Sequence, residues 1–290
     1  MAAVVERAIA EDLAGGVDVT SAATVPVSHR STLDLVARAA GVVAGAPVAA
    51  AVFDLVGAGA LEVVVSAADG SRVRPGEVVV SASGSTRDLL TAERTALNLL
   101  CHLSGIATAT AAWADALAGS GTRVRDTRKT TPGLRALEKY AVRCGGGLNH
   151  RMALSDAALV KDNHVVAAGG VREAFEAVRT MWPELPVEVE VDSLDQLAEV
   201  LAAGADLVLL DNFTPDQLAE AVRRTAEHAA AAAPVAGEEA QQRRTRLEAS
   251  GGLTLADAAV VAATGVDFVS VGALTHSAPA LDIGADLRPA

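Results

Sequence analysis

The chain has 290 residues, a net charge of −12 at pH 7, 51% hydrophobic residues and only 2% aromatic residues. This composition predicts one large domain or two small ones with an aliphatic core, and it argues against a broad nucleic-acid-binding face. We find no signal-peptide pattern and no apolar run long enough to span a membrane, and Cys101 and Cys144 lack metal-ligand spacing. We therefore expect a soluble, cytoplasmic protein with reduced thiols.

Residues 1–97 are predicted to form an N-terminal α+β domain. Strand-like apolar runs occupy Leu33–Arg38, Leu61–Val65 and Glu77–Val80. Turn residues separate these runs, which favours antiparallel pairing. From Thr86 the leucine spacing becomes helical, with Ser85 or Thr86 as the N-cap, and a second helix is predicted through Trp113.

Residues 98–276 alternate short apolar runs with helical segments. The six runs are Thr122–Arg125, Ala157–Val160, Val187–Val191, Asp206–Leu210, Arg246–Ala249 and Asp267–Val271. Repeated βα units predict a parallel sheet or barrel, and barrel enzymes place their sites where the strands end. The residues at those ends are Arg128 and Lys129, Lys161, Glu190, Asp211, Ser250-Gly251-Gly252, and Gly272.

Positive charge is concentrated in one part of this acidic chain. The three lysines all lie between residues 129 and 161, whereas 21 arginines are spread along the sequence. Residues 123–164 carry nine Lys or Arg and four Asp or Glu, a net charge of +5, which leaves −17 for the rest. A positive pocket in an acidic protein selects small anions. Chance composition is the alternative explanation for the lysine cluster.

Two acids and several glycines indicate a metal and a phosphate subsite. Glu190 and Asp211 each close an apolar run, and such hard oxygen ligands suit Mg²⁺ shared with a substrate phosphate. From position alone, the acids could equally cap helices or pair with arginines. Gly251, Gly252 and Gly272 follow the last two strands, where barrels bind phosphate through backbone N–H groups.

The positive set exceeds what one phosphate requires. It consists of Arg128, Lys129, His150, Arg151 and Lys161. Arginine forks match carboxylates and lysine supplies a point charge to phosphate, so we expect two anionic reactants, at least one of them polyphosphorylated.

Taken together, these motifs resemble the quinolinate phosphoribosyltransferase family over residues 4–288. The motifs are Glu93-Arg94-Thr95-Ala96-Leu97-Asn98, Asp126-Thr127-Arg128-Lys129-Thr130, Gly145-Gly146 with His150-Arg151, Lys161-Asp162-Asn163-His164, Val187-Glu188-Val189-Glu190, Leu210-Asp211-Asn212, Glu248-Ala249-Ser250-Gly251-Gly252 and Ser270-Val271-Gly272. The resemblance implies an α/β fold: an N-terminal α/β sandwich, an open (incomplete) α/β barrel of the type II phosphoribosyltransferase kind, and a tail, residues 277–290, that packs back on the first domain.

The resemblance also implies an activity and residue roles. The expected reaction converts quinolinate and phosphoribosyl pyrophosphate into nicotinate mononucleotide, pyrophosphate and CO₂, with Mg²⁺, in NAD biosynthesis. Arg94, Arg128, Arg151 and Lys161 would bind quinolinate, with Arg94 supplied by the neighbouring subunit of a homodimer, which could assemble further into a hexamer. The phosphoribosyl donor would be held by Lys129, His150, Glu190, Asp211, Ser250, Gly251 and Gly272. Of these, Glu190 and Asp211 would bind the metal, and Lys129, Lys161, Glu190 and Asp211 would be catalytic.

One segment departs from the family pattern, and other functions stay open. The connection at residues 228–246 is long and low in complexity, and as a helix-to-strand link it is expected on the face opposite the site. The alternatives are a transferase of the same family with a different base, a barrel lyase that forms a Schiff base through Lys161, and a non-catalytic sugar-phosphate sensor.

Overall fold

A computed structural model describes residues 1–232 and 244–289. The chain divides into two compact units that interleave along the sequence. The first contains residues 1–111, 129–147 and the chain from residue 273 onward, and the second contains residues 112–128 and 148–272. This division differs from the predicted domains 1–97, 98–276 and 277–290, whose boundaries stay a prediction.

The first unit is built around an antiparallel sheet. Its elements in chain order are α1 (Ala2–Leu13), α2 (Val19–Thr24), β1 (Arg30–Ala37), β2 (Gly41–Val42), α3 (Ala46–Val56), β3 (Glu62–Val65), β4 (Arg72–Val73), β5 (Val78–Ser85), α4 (Thr86–Ala116, which continues into the second unit), α5 (Arg135–Cys144), α11 (Ala273–His276) and β12 (Ile283–Pro289). Four strands form one sheet in the order β12-β1-β5-β3, and β2 pairs with β4. The three strands predicted in this region are confirmed, and their pairing is antiparallel.

The C-terminal strand β12 lies in the same sheet as β1. The register runs from Ser31 opposite Pro289 to Ala37 opposite Ile283. The core beneath this sheet is mainly aliphatic, as the composition predicts: Leu35 and Leu100 are fully buried in it, beside the aromatic Phe53.

Helix α4 corrects one prediction. The sequence pattern predicts two helices between Thr86 and Trp113, but the structure has a single helix of 31 residues, Thr86–Ala116. Gly105 lies within this helix, and the backbone of Pro279 packs against it so closely that a Cβ atom would collide with the Pro279 carbonyl. The glycine therefore serves a close approach and not a helix end.

The second unit is a parallel sheet with helices between its strands. Its elements are β6 (Arg123–Arg125), β7 (Ala158–Val160), α6 (Asp162–Ala168), α7 (Val171–Met181), β8 (Val187–Val191), α8 (Leu194–Ala202), β9 (Leu207–Asp211), α9 (Pro215–Ala232), β10 (Arg246–Ser250), a 3₁₀ turn (Leu255–Asp257), α10 (Ala258–Ala263) and β11 (Phe268–Ser270). The six strands follow the order β6-β11-β10-β9-β8-β7, so β6 and β7 are the edges in the described chain. The predicted open α/β barrel and its six strands are confirmed.

Successive side chains of a strand in the second unit point to opposite faces of the sheet, so apolar and acidic residues are separated. In β8, Val189 and Val191 are buried on one face, and Glu188 and Glu190 share the other. No helix in residues 1–232 and 244–289 has both the length and the apolar character needed to cross a membrane. Most of the long connection at residues 228–246 lies outside the described residues, so its predicted position stays a prediction.

Candidate active site

Polar side chains of the second unit gather where the parallel strands end. Lys161 follows β7, Glu190 and Asp211 lie at the ends of β8 and β9, and Ser250 ends β10 directly opposite Asp211 in the register. Because the carboxyl ends of parallel strands share one edge, these groups meet there. The predicted convergence of strand-end residues is confirmed for these four positions.

Lys161, Glu190 and Asp211 form a charged group at this edge. The ammonium Nζ of Lys161 lies 2.5 Å from Oε2 of Glu190, whose side chain is only 13% exposed. Burial raises the pKa of the Asp211 carboxyl, and the negative charge of Glu190 raises it further. Two neighbouring carboxylates that repel each other are a favourable setting for a divalent cation, which would relieve the repulsion.

Local backbone geometry orients Asp211. The next residue, Asn212, has a φ of 56°, its side chain donates a hydrogen bond of 2.7 Å to Oδ2 of Asp211, and its N–H donates to the carbonyl of Ser250. Gly251 has a φ of +113°, and a Cβ there would collide with the Asn212 side chain. This position requires glycine because both the backbone conformation and the space exclude other residues.

Two arginines lie close together in the second unit. Burial lowers the pKa of Arg151, and the positive charge of Arg128 lowers it further. Nη1 of Arg151 donates to the Ala157 carbonyl at 3.1 Å, whereas its buried Nε has no hydrogen-bond partner among the described residues. Two repelling guanidinium groups with an unused buried donor are suited to an anion with several oxygens.

His150 is buried in the segment between α5 and β7 and makes hydrogen bonds through both ring nitrogens. Nδ1 accepts from the backbone N–H of Arg151 at 2.7 Å, and Nε2 lies 2.8 Å from Oε2 of Glu188. Since Nδ1 accepts, the hydrogen of the ring is on Nε2, which donates to Glu188. In this structure His150 therefore links Arg151 to Glu188, and its predicted contact with the donor stays a prediction.

Below the strand ends, two buried carboxylates share one arginine. Arg125 pairs with Glu248 and lies 3.7 Å from Oε1 of Glu188, and both glutamates are almost completely buried. Burial raises the pKa of Glu248 to about 7, and the charge of Glu188 contributes to the rise. His150, Glu188 and Glu248 could offer three ligand atoms within 4.8 Å of one another, but Arg125 already provides their positive charge.

A cavity of about 890 Å³ reaches this buried group from the amino-terminal ends of the strands. Its walls include Arg125, His150, Arg151 and Glu188, together with Arg246, the first residue of β10, and Asp267, which directly precedes β11. The cavity lies at the other end of the strands from Glu190 and Asp211.

Asp126 holds the segment that carries His150. It is fully buried, its Oδ1 accepts from the His150 N–H at 2.7 Å, and its Oδ2 accepts from the Asn149 side chain at 2.6 Å. The buried carboxylate of Asp126 therefore fixes this segment. Asp126 lies two residues before Arg128 in the chain.

Two predicted site residues belong to the first unit. Arg94 lies on α4 with a side chain that is 64% exposed. Lys129 is exposed, and its carbonyl accepts a hydrogen bond of 2.8 Å from the hydroxyl of Thr275 on α11, the helix that directly follows Gly272.

The comparison with known families agrees with this arrangement. Residues 18–104 match the quinolinate phosphoribosyl transferase N-terminal domain, and residues 106–286 match the C-terminal domain of the same family. The chain belongs to the quinolinate phosphoribosyl transferase family. The resemblance predicted from the motifs is confirmed.

Individual relatives cover nearly the whole chain. The nicotinate-nucleotide pyrophosphorylase [carboxylating] of Mycobacterium leprae is 51% identical over 98% of this chain and 95% of its own length. The Homo sapiens protein of the same name is 40% identical over 99% of this chain and 91% of its own length. The crystal structure of NadC from Streptococcus pyogenes is 40% identical, with a TM-score of 0.88 over 99% of this chain and 96% of that one.

Sequence reasoning did not assign roles to several residues of this member of the quinolinate phosphoribosyl transferase family. They are Arg125, Asp126, Glu188, Asn212 and Glu248. A signal for Glu188 was present, because the alternation in Val187–Val191 puts it on the same face as Glu190. The partners of Glu248 and Asp126 come from distant strands and loops, which a local pattern does not reveal.

Proposed function

We propose that the chain transfers a phosphoribosyl group from phosphoribosyl pyrophosphate to quinolinate and releases pyrophosphate and CO₂, forming nicotinate mononucleotide for NAD biosynthesis. The observation that carries this proposal is the proximity of two arginines to each other in the same unit as the Lys161, Glu190 and Asp211 group. Such a site offers cations to a dicarboxylate and carboxylates to a metal-bound polyphosphate.

Quinolinate would bind to Arg128, Arg151 and Lys161, with Arg94 completing the set. The buried Nε of Arg151 supports this assignment, since an unpartnered buried donor is costly until a ligand accepts from it. A pyridine with two adjacent carboxylates would use more of these cations than a monocarboxylate would. The pocket is therefore expected to discriminate against nicotinate.

The phosphoribosyl donor would be held by Lys129, Glu190 and Asp211, together with His150 and the backbone at Ser250, Gly251 and Gly272. The conformation of Gly251 supports this, because a residue without a Cβ lets an anion approach the backbone closely. Lys129 would supply a point charge to the phosphates.

Glu190 and Asp211 would hold Mg²⁺. Burial raises the pKa of Asp211 and the negative charge of Glu190 raises it further, a setting that fits a divalent cation. When bound, Mg²⁺ would neutralise charge that develops on the departing pyrophosphate. Lys161, whose ammonium contacts Glu190, adds positive charge to the same subsite.

The residues would act mainly by positioning and electrostatics. Positive charge builds on the ribose carbon as the bond to pyrophosphate breaks, and nearby carboxylates stabilise that charge. The pyridine nitrogen attacks this carbon, so no covalent intermediate with the protein is required. The ribosylated ring is then positively charged and stabilises the electron pair that stays on the ring carbon as the adjacent carboxylate leaves as CO₂. That carbon then takes up a proton from water, which completes nicotinate mononucleotide.

The active unit would be a homodimer in which Arg94 serves the neighbouring subunit, possible assembly into a hexamer being a separate question. The large exposed fraction of Arg94 supports a role outside its own fold. We place the protein in the cytoplasm, which agrees with two free thiols, Cys101 and Cys144.

A single assay tests the reaction. Purified protein, quinolinate, donor and Mg²⁺ are mixed, and nicotinate mononucleotide and CO₂ are followed, with nicotinate replacing quinolinate in a parallel reaction. We expect product with quinolinate and very little with nicotinate. Equal rates would show that the base is wrong, and donor binding without product would show that the chain is a sensor. Trapping of Lys161 by borohydride with a carbonyl substrate would indicate a Schiff-base lyase.

A further inference from the structure

The short segment from Lys129 to Thr131 is held at three consecutive residues. The Lys129 carbonyl accepts from the Thr275 hydroxyl at 2.8 Å, and the Thr130 hydroxyl accepts from Nε of Arg135 at 3.0 Å. The Thr131 N–H donates to Oε2 of Glu138 at 3.0 Å. The segment lies outside helices and strands, so these side chains determine its conformation.

Of the three side chains that hold this segment, Thr275, Arg135 and Glu138, the glutamate is the one that is charged and fully buried. It lies in the first turn of α5, is fully buried, and its Oε1 lies 2.9 Å from Nε2 of His102 on α4. Burial by itself would raise the pKa of Glu138, but the hydrogen bonds from His102 and Thr131 lower it overall. The carboxylate is thus ionised at neutral pH, with one oxygen on α4 and the other on the segment.

Burying the Glu138 carboxylate costs free energy, because the charge is removed from water. An apolar side chain at this position of α5 would avoid the cost of removing a charge from water. What the carboxylate adds is a directional acceptor for the Thr131 N–H, two residues from Lys129. Small displacements of a group that contacts phosphate are known to reduce rates strongly.

We propose that Glu138, oriented by His102, is a positioning residue that holds Lys129 in place for the phosphoribosyl donor. The inference rests on the proposed function, in which Lys129 contacts the donor phosphates. Neither Glu138 nor His102 touches substrate in this proposal. Both act through the Thr131 N–H.

The test separates positioning from stability. The variants are Glu138→Met, His102→Leu and the combination of the two. The double variant removes both members of the Glu138–His102 pair, so neither is left without its partner, whereas the Thr131 N–H loses its acceptor whenever Glu138 becomes Met. We expect the double variant to stay folded and to melt closer to the wild-type temperature than Glu138→Met alone, in which His102 also loses its partner. Its kcat/KM for the donor, at saturating quinolinate, should still fall by about tenfold or more, while the KM for quinolinate changes by less than about twofold.

A conservative variant provides the rescue. In Glu138→Gln the amide oxygen can accept from Thr131 while the amide N–H₂ donates to neutral His102, so most of the donor kcat/KM should return. In the His102→Leu background the same glutamine should rescue less, because its orientation is no longer determined. Glu176→Gln, in an exposed pair with Arg172, is the matched control and should behave as wild type.

Two outcomes are distinguishable. A stable double variant with wild-type donor kinetics overturns the positioning role of Glu138, and so does Glu138→Gln if it is folded but no better than Glu138→Met. Lys129→Ala, measured beside them, reports on the proposed function. If Lys129→Ala keeps wild-type donor kinetics, Lys129 does not contact the donor and both statements fail. If Lys129→Ala is defective and the double variant is normal, only the positioning inference fails.

Discussion

Nζ of Lys161 lies 2.5 Å from Oε2 of Glu190, so a residue proposed to bind quinolinate neutralises a residue proposed to bind the metal. Quinolinate and Mg²⁺ would each take one member of this pair. The two ligands are therefore expected to assist each other electrostatically. Quinolinate bound to Lys161 leaves Glu190 available for Mg²⁺, and Mg²⁺ bound to Glu190 leaves Lys161 available for quinolinate.

Glu190→Gln should separate the two subsites. Without the Glu190 charge, quinolinate no longer competes for Lys161, so its affinity in metal-free buffer should stay the same or tighten by no more than about fivefold, because a pair with a half-exposed lysine is worth about 1 kcal/mol or less. The donor kcat/KM should fall by about tenfold or more. Calorimetry with quinolinate and steady-state kinetics with the donor measure the two effects. Loss of quinolinate binding with normal donor use would mean that the subsites are exchanged.

Arg128→Lys should impair quinolinate use although the charge is kept. A lysine cannot make the forked contact that a guanidinium makes with a carboxylate, and we expect a loss of about 2 kcal/mol or more in kcat/KM for quinolinate. The matched control is Arg172→Lys, an exposed arginine that pairs with Glu176 on the helix surface. Kinetics of Arg128→Lys indistinguishable from those of this control would remove Arg128 from the base pocket.

Glu248→Gln should change how stability depends on pH. The pKa of Glu248 is raised from 4.5 to about 7 in the folded protein. The folded state therefore holds this proton more tightly, so the stabilisation is complete below about pH 4.5 and is lost as the pH rises to about 7. The variant lacks this dependence and keeps an acceptor for Arg125. Relative to Glu248→Gln, the wild type should lose stability, on the order of a few kcal/mol, between pH 5 and pH 8.

Melting temperatures of both proteins at pH 5, 6, 7 and 8 test this expectation. Titrating groups that do not contact Glu248 are common to the two proteins and cancel in the difference, so the difference reports on Glu248 together with its neighbours Glu188 and His150. Glu176→Gln serves as a carboxylate-to-amide control on an exposed helix. Parallel curves for wild type and Glu248→Gln would show that Glu248 titrates at its ordinary pKa.

The sequence predicted the second unit well because its strands are local features. Each of the six predicted apolar runs is a strand in the structure. At each end, the bounds of the strand differ from those of the run by at most one residue. Parallel topology then brings Lys161, Glu190 and Asp211 to one edge. The strand ends are thus predictable from short-range alternation plus one topological rule.

Long-range and buried polar relationships were not predictable in the same way. The pairing of Ser31 with Pro289 joins segments from the two ends of the chain, and no local pattern specifies it. Hydrophobic patterning assigns charged residues to the surface, yet Glu248 and Glu138 are fully buried. Their burial depends on Arg125 and His102, partners on other elements, and only the folded structure brings these together.

The last prediction concerns the proposed sharing of the site between subunits. Arg94→Ala and Lys129→Ala chains should each be inactive alone, because every site of either homodimer lacks one residue. In a heterodimer, one site receives Arg94 from the Lys129→Ala chain and has its own Lys129, whereas the other site carries both defects. Random exchange in an equal mixture makes half of the dimers heterodimers, so about a quarter of the wild-type activity should return.

Subunit exchange has to be shown independently for this result to be decisive. Differently tagged chains, purified through both tags in sequence, yield the heterodimer alone, which should have about half of the wild-type activity because one of its two sites is intact. A mixture of Arg94→Ala with Arg94→Lys chains is the matched control, since neither chain supplies a normal Arg94. If the doubly tagged heterodimer forms and stays inactive, Arg94 works within its own subunit; an Arg94→Ala chain that is active alone would instead show that Arg94 has no part in the site. The exposed position of its side chain on α4 would then need another explanation.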